Sequence, residues 1–273
     1  MKRIFKPTTI LAAAAVLLCL NSHEAKDLAL TEENEAAQRL WEQAIAAKGG
    51  REKLHSVRTM AVSLRAAYDL GRLGKTNSHY VWVYAFPDKL WSWLDDRPSD
   101  FGLNVTLYNG ERQEVQTLMS GMTSPKLAQG PGVGQGDRYF LLRDQLAFLM
   151  ETQWVRPVPM QTWKSSVERR RVDVVRATIP GRVVDFYLDE VSHLPLMVAV
   201  CKPGEPPQEC LETDPVVLGD YAAFSEIQLP RRVGQKTASY EVNPELAPDI
   251  FERPPSIEAG PYAWRPKSQQ SNK

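Results

Sequence analysis

The sequence is short of the residues and spacings that announce chemistry. It holds four histidines, His23, His55, His79 and His193, and none stands in an HExxH pattern, so a zinc-protease site is not indicated. No GxSxG occurs, which removes the nucleophile elbow of the α/β-hydrolases. The alternating glycines Gly130, Gly132, Gly134 and Gly136 are not followed by Lys-Ser/Thr at P-loop spacing, so they form no phosphate cradle. There are three cysteines and no CxxC, which argues against zinc and thioredoxin-like chemistry. No apolar run reaches the ~20 residues of a comfortable membrane span. The acidic pairs Asp95-Asp96 and Asp189-Glu190 fall at predicted turns, where hydration accounts for them. His193 also falls in a predicted turn and is expected to be solvated. No catalytic residue, metal site or cofactor is expected.

Charge of one sign is also missing, since 33 basic residues balance 33 acidic ones. The N-terminus has a basic region (Lys2, Arg3, Lys6) and then an apolar core, Ile10 to Leu20, too short to span a membrane. Residues 1–25 are therefore expected to be a secretory signal peptide, with Ser22 and Ala25 as small residues near a cleavage site. Lipid anchoring at Cys19 is disfavoured, because Leu18 stands where a lipobox needs a small residue. The signal segment holds three basic residues and one acidic residue, so its removal leaves 30 and 32, a net of −2. That balance argues against a nucleic-acid partner. The local run Glu168-Arg169-Arg170-Arg171 reads as a solvated strand face. Cys201 and Cys210 remain, separated by a turn-rich segment. An exported chain meets an oxidising compartment, so a Cys201–Cys210 disulfide is expected.

What is present is alternation. Ala37, Leu40, Trp41, Ala44 and Ile45 recur at helical spacing after Thr31 and a run of glutamates, so Glu33–Lys48 is expected to be a helix, stopped by Gly49 and Gly50. Met60, Val62, Leu64, Ala66, Tyr68 and Leu70 then alternate over a long strand. Tyr80, Trp82, Tyr84 and Phe86 share one face of the next. Pro87-Asp88 turns the chain into a strand carrying Trp91 and Trp93. Leu103, Val105 and Leu107 follow, and Asn109-Gly110 signals a hairpin with positive φ at both turn residues. Four such strands with short turns form an antiparallel meander. Asp137 is expected to cap a second helix to Glu151, apolar on most sides and so covered on several. Strands resume from Val167 to about Tyr240. Residues 255–273 lose the periodicity and are expected to be a proline-rich disordered tail.

The stretch FYLDEVSHLPLMVAV, Phe186 to Val200, reads as a hairpin. Val184, Phe186 and Leu188 oppose Asp185, Tyr187 and Asp189, and Leu196, Val198 and Val200 alternate after Pro195, which fits the first residue of a strand. Leu229-Pro230 repeats the device. The ordered set Tyr187-Leu188-Asp189, Leu194-Pro195, Gly219-Asp220-Tyr221, Leu229-Pro230, Asn243-Pro244 and Phe251-Glu252-Arg253-Pro254 resembles the LolA-like superfamily, periplasmic carriers and receptors of outer-membrane lipoproteins. The resemblance spans Leu30 to Pro254, and implies a single half-barrel domain over residues 26–254. It implies a mainly β (α+β) fold, an incomplete antiparallel β-barrel with helices covering its concave side. It implies a monomeric, non-enzymatic periplasmic carrier of lipid or lipoprotein acyl chains. The alternative is a periplasmic sensor that binds a lipid or an envelope membrane-protein partner. The ligand cavity is expected to be lined by Val62, Leu64, Tyr68, Trp82, Tyr84, Phe86, Trp91, Trp93, Phe186 and Leu188. Leu142, Leu146 and Leu149 are expected to act as a lid, with the glycines before them as its hinge.

Overall fold

The computed structural model describes residues 32, 34–69, 75–97, 102–110, 112–119, 121–129, 135–201 and 215–270. The expected signal segment, Cys210 and the glycines at 130, 132 and 134 lie outside the described residues. Two helices come first, α1 (34–47) and α2 (Arg51–Ser56). Six strands follow: β1 (Thr59–Asp69), β2 (Lys75–Ala85), β3 (Lys89–Asp96), β4 (Gly102–Tyr108), β5 (Gln113–Leu118) and β6 (Lys126–Gln129). Helix α3 (Gln135–Leu149) separates them from β7 (Val158–Val167), β8 (Arg170–Ile179), β9 (Arg182–Asp189), β10 (Pro195–Cys201), β11 (Val216–Phe224), β12 (Ile227–Val233) and β13 (Lys236–Val242). A last turn of helix, α4, spans Lys267–Gln270.

All thirteen strands belong to one curved sheet in the order β6-β5-β4-β3-β2-β1-β13-β12-β11-β10-β9-β8-β7. Every pairing is antiparallel, and β1 joins the two meanders by pairing with β13 from Met60↔Val242 to Arg65↔Thr237. Period-2 alternation sorts the side chains between two faces. Met60, Val62 and Leu64 of β1 meet Phe186 and Leu188 of β9 in one buried cluster. Ala37, Trp41, Ala44 and Ile45 of α1 and Leu146, Phe148 and Leu149 of α3 complete that cluster. Both helices therefore lie on the concave side, as the sequence leads one to expect. Each large apolar side chain so buried contributes ~1.5–3 kcal/mol.

The sheet has two weak seams, and the Leu-Pro pairs sit at them. β10 and β11 pair only through Met197↔Val217 and Val198↔Val216. β12 and β13 pair only through Arg232↔Thr237 and Val233↔Lys236. Proline cannot donate to a ladder, so it is tolerated where the ladder lapses. The freed carbonyls find side-chain donors instead. The Tyr221 hydroxyl donates to the Pro195 carbonyl at 2.7 Å, and the Tyr240 hydroxyl to the Pro230 carbonyl at 2.7 Å. Asn243 of the Asn-Pro pair, at φ 52°, accepts from the Arg58 N–H at 2.7 Å and ties the end of β13 to the start of β1.

Several expectations need correction. Helix α3 begins at Gln135 rather than at an Asp137 cap, and it ends at Leu149, because Met150 turns to φ 63°. Asn109-Gly110 does lie between paired strands, but Tyr108↔Gln113 makes a four-residue connection. Of the two, Gly110 takes positive φ; Asn109 instead accepts the Arg112 N–H on its side chain at 2.8 Å. Glu168 and Arg169 are not strand residues but the positive-φ turn between β7 and β8. A bulge between Pro195 and Met197 breaks the alternation of β10, so Leu196 joins Val172 and Val174 on the outer face and parts from Val198. His193 is half-buried, and its Nδ1 has no partner.

The largest correction concerns the tail. Ile257, Ala263 and Trp264 are buried against Val81, Val83, Val105 and Leu107 on the outer face. The segment is fastened by its backbone: Ile257 N–H donates to Gln116 Oε1 at 2.6 Å, and Ala247 N–H to the Trp264 carbonyl at 2.7 Å. It runs as turns rather than strands, so its apolar residues obey no period.

Candidate functional site under helix α3

The expected cavity residues divide between the two faces. Val62, Leu64, Tyr84, Phe86, Phe186 and Leu188 are buried together on the concave side, with Leu146 and Leu149 of α3 against them. Trp82 and Leu142 are half-buried and pack on this group. Tyr68 shares the parity of Val62 and Leu64 and is half-buried farther along β1. Trp91 and Trp93 do not join them. Ala85↔Lys89 closes the β2–β3 connection, so Trp91 stands opposite Val83 and Trp93 opposite Val81. Directly opposed residues of an antiparallel pair share a face. Both tryptophans therefore lie on the outer face, in the cluster that Trp264 covers.

Leu90 and Ser92 of β3, opposite Tyr84 and Trp82, reach the concave side next to this group. With Trp82, Tyr84 and the α3 residues Phe140, Arg143 and Asp144 they line a half-open cavity of about 220 Å3. Its aromatic walls are Trp82, Tyr84 and Phe140, and behind them Tyr84 stacks on Phe86 at 5.8 Å with a 3° interplanar angle. The α3 side is polar. The Tyr84 hydroxyl donates to Asp144 Oδ2 at 3.1 Å, and Arg143 Nη2 donates to Asp144 Oδ1 at 2.9 Å. The Arg143 guanidinium also lies 4.8 Å from the Phe140 ring. Burial, then the Asp144 carboxylate, pushes the Tyr84 phenol well above its ordinary value. Tyr84 is therefore a fixed donor at neutral pH.

Next to this cavity aromatic rings pack the interior. Trp41 and Phe186 meet edge to face at 4.9 Å, and Phe148 meets Tyr240 at 5.6 Å. Helix α3 is thus a plug as well as a cover. Its C-terminal end is held by buried polar groups. Lys48 Nζ donates to the Phe148 carbonyl at 2.5 Å and to the Gln228 carbonyl of β12, 5.1 Å from the Tyr221 ring. Burial lowers the Lys48 amine to about 7. Glu151, just past the helix, accepts from Arg51 Nε at 2.6 Å and Trp41 Nε1 at 3.2 Å, and lies 2.9 Å from His55 Nε2. At the other end Phe140 is 39% exposed. The sequence gives no sign of Lys48 or Glu151, which read as ordinary charges at helix ends. Asp144 leaves a trace, as the one acidic residue inside an apolar run. Among the described residues no group of three or more His, Cys, Asp or Glu side chains could hold a metal ion.

The fold and site together define an open antiparallel half-barrel whose apolar interior is closed by a helix. No family model and no curated protein matches the sequence. Solved structures with some likeness include a DUF1329 family protein from Desulfovibrio piger, 9% identical over 82% of this chain and 97% of that one, with a TM-score of 0.44. A LolA superfamily protein from Nitrosomonas europaea is 13% identical over 80% and 97%, with a TM-score of 0.42. A domain described as an outer membrane lipoprotein-sorting protein from Vibrio parahaemolyticus is 11% identical over 82% and 97%, with a TM-score of 0.39. Likeness at this level carries no conclusion about ligand or partner.

Proposed function

We propose that the chain is a non-enzymatic carrier or binding protein of the periplasm that holds the acyl chains of a lipid or lipidated protein under α3. The observation that supports this reading is the aromatic cavity beside α3, next to an apolar interior in which the leucines of α3 are packed. A cavity of about 220 Å3 is below the roughly 300–1,000 Å3 of ligand sites. An acyl chain therefore needs room that Leu142, Leu146 and Leu149 occupy. Helix α3 is tied at its C-terminal end and exposes Phe140 at the other, so it swings about the Lys48–Glu151 end. Trp82, Tyr84, Phe86, Val62, Leu64, Phe186 and Leu188 then line the chain, with Tyr68 toward the far end of β1.

Two substitutions test this with a fluorescent fatty-acid probe. Trp82→Ala removes a half-buried wall, so binding falls with a modest loss of stability. Leu146→Ala costs ~2–5 kcal/mol of stability, yet binding persists or tightens, because the plug that competes with the ligand is smaller. Severe destabilisation of both variants, with no probe bound by the parent, means a solid core and ends the carrier reading.

A further inference from the structure

The seam between β12 and β13 is an opening as well as a lapse in pairing. The two strands part beyond Arg232↔Thr237. From there β12 stays with β11, from Tyr221↔Pro230 to Phe224↔Ile227, and β13 stays with β1 as far as Met60↔Val242. Farther along, side chains bridge the gap: the Tyr240 hydroxyl donates to the Pro230 carbonyl, and Lys48 Nζ to the Gln228 carbonyl. Where the strands part, a cavity of about 370 Å3 is lined by Arg231 of β12 and by Thr237, Ala238 and Ser239 of β13.

Its walls come from both faces of the sheet. Ser63 and Arg65 of β1 line it, opposite Ser239 and Thr237, and share the parity of Ala61 in the outer cluster. Ala238 lines it from the concave cluster, and Phe224, which packs on that cluster, lines it too. The β1–β13 ladder runs unbroken from Met60↔Val242 to Arg65↔Thr237. A cavity with walls on both faces therefore passes on the β12 side of β13, through the seam. It leads inward to aromatic rings: Phe224 meets Tyr240 at 5.1 Å, and Tyr240 meets Phe148 of α3 at 5.6 Å. This is the tied end of α3, away from Phe140. The inner walls, Ala222, Phe224 and Ala238, are apolar. At the level of the sheet the parted edges turn backbone N–H and C=O groups toward the opening, and these need polar partners. The volume falls in the roughly 300–1,000 Å3 range of small-molecule sites, which pair apolar walls with a few polar groups.

We propose that this opening binds a single-chain amphiphile, its acyl chain threaded inward past Ala238 and Phe224 and its oxygen-bearing head, a carboxyl or an ester, at the level of the sheet. The parted backbone edges and the hydroxyls of Thr237 and Ser239 pair with the head. The inference rests on the reading that the interior takes acyl chains, but it reaches that interior through the sheet rather than under α3.

A fatty acid with a diazirine in its tail, photolysed on the full chain and mapped by peptide mass spectrometry, tests this. The expected result is saturable labelling at Ala222, Phe224 or Ala238 that excess oleate or monoolein displaces. The better competitor assigns the carboxyl or the ester head. Ala222→Phe narrows the opening from a half-buried position and should cut this labelling about tenfold or more, with labelling of Trp82 and Phe140 unchanged. Labelling confined to Trp82 and Phe140 overturns the seam site and leaves the carrier reading standing. Labelling nowhere overturns both. Label at the seam that neither competitor displaces, or that Ala222→Phe leaves at the parent level, is surface adhesion and overturns the proposal. Should Ala222→Phe fail to fold, the map of the parent and its competition decide.

Discussion

Lys48 is the residue on which most local physics converges. Its backbone carbonyl accepts from the Gln228 N–H at 2.9 Å, while its amine reaches the Gln228 carbonyl and the end of α3. It thereby satisfies backbone that the lapsed β12–β13 ladder leaves free. Burial holds the folded amine at about 7, against an ordinary 10.5. Between those values the unfolded chain binds a proton that the folded chain does not, so stability falls as pH drops from 10.5 toward 7 and is flat in this respect below 7. The slope is at most ~1.4 kcal/mol per pH unit. Lys48→Met should therefore lose that slope, which urea unfolding at pH 7, 8.5 and 10 would read. An equal slope in parent and variant contradicts the account. Nothing in AIAAKGG marks Lys48 as buried, because a lysine before a helix-ending glycine is ordinarily solvated.

At the scale of elements, alternation made β1, β2 and β9 legible, along with the face each presents. It could not give the parity between strands. That parity depends on the length of the connection, and a connection of Phe86, Pro87 and Asp88 sends Trp91 and Trp93 outward. A one-residue bulge did the same to Leu196. The C-terminal segment was illegible for another reason: it binds by turns and single anchors, which leave no period. It should be a structural element all the same. Truncation after Pro254 uncovers the outer face and should lower the thermal midpoint markedly. Trp264→Ala alone should cost ~3–5 kcal/mol. Circular-dichroism melts decide this, and an unchanged midpoint after truncation contradicts the packing described.

The whole molecule was legible where ordered motifs carried physical meaning. Leu-Pro twice, each followed by a tyrosine that donates to the proline carbonyl, marks the seams where the strand pairing lapses. The interior was half legible: its apolar lining could be read from the strands, but not how much of it the helices fill. Export and oxidation belong to this scale. Cys201 is fully buried at the end of β10, and a Cys201–Cys210 disulfide should protect it in exported protein. Intact mass after alkylation without reductant should show no added reagent on either cysteine. Uptake on both contradicts the pairing.

The central claim is that the space under α3 accepts an acyl chain. Native mass spectrometry of the purified chain incubated with palmitate measures this most directly. The account predicts a 1:1 complex that survives in Leu146→Ala and is depleted in Trp82→Ala. The mass of the free protein alone, in parent and variants alike, would contradict it.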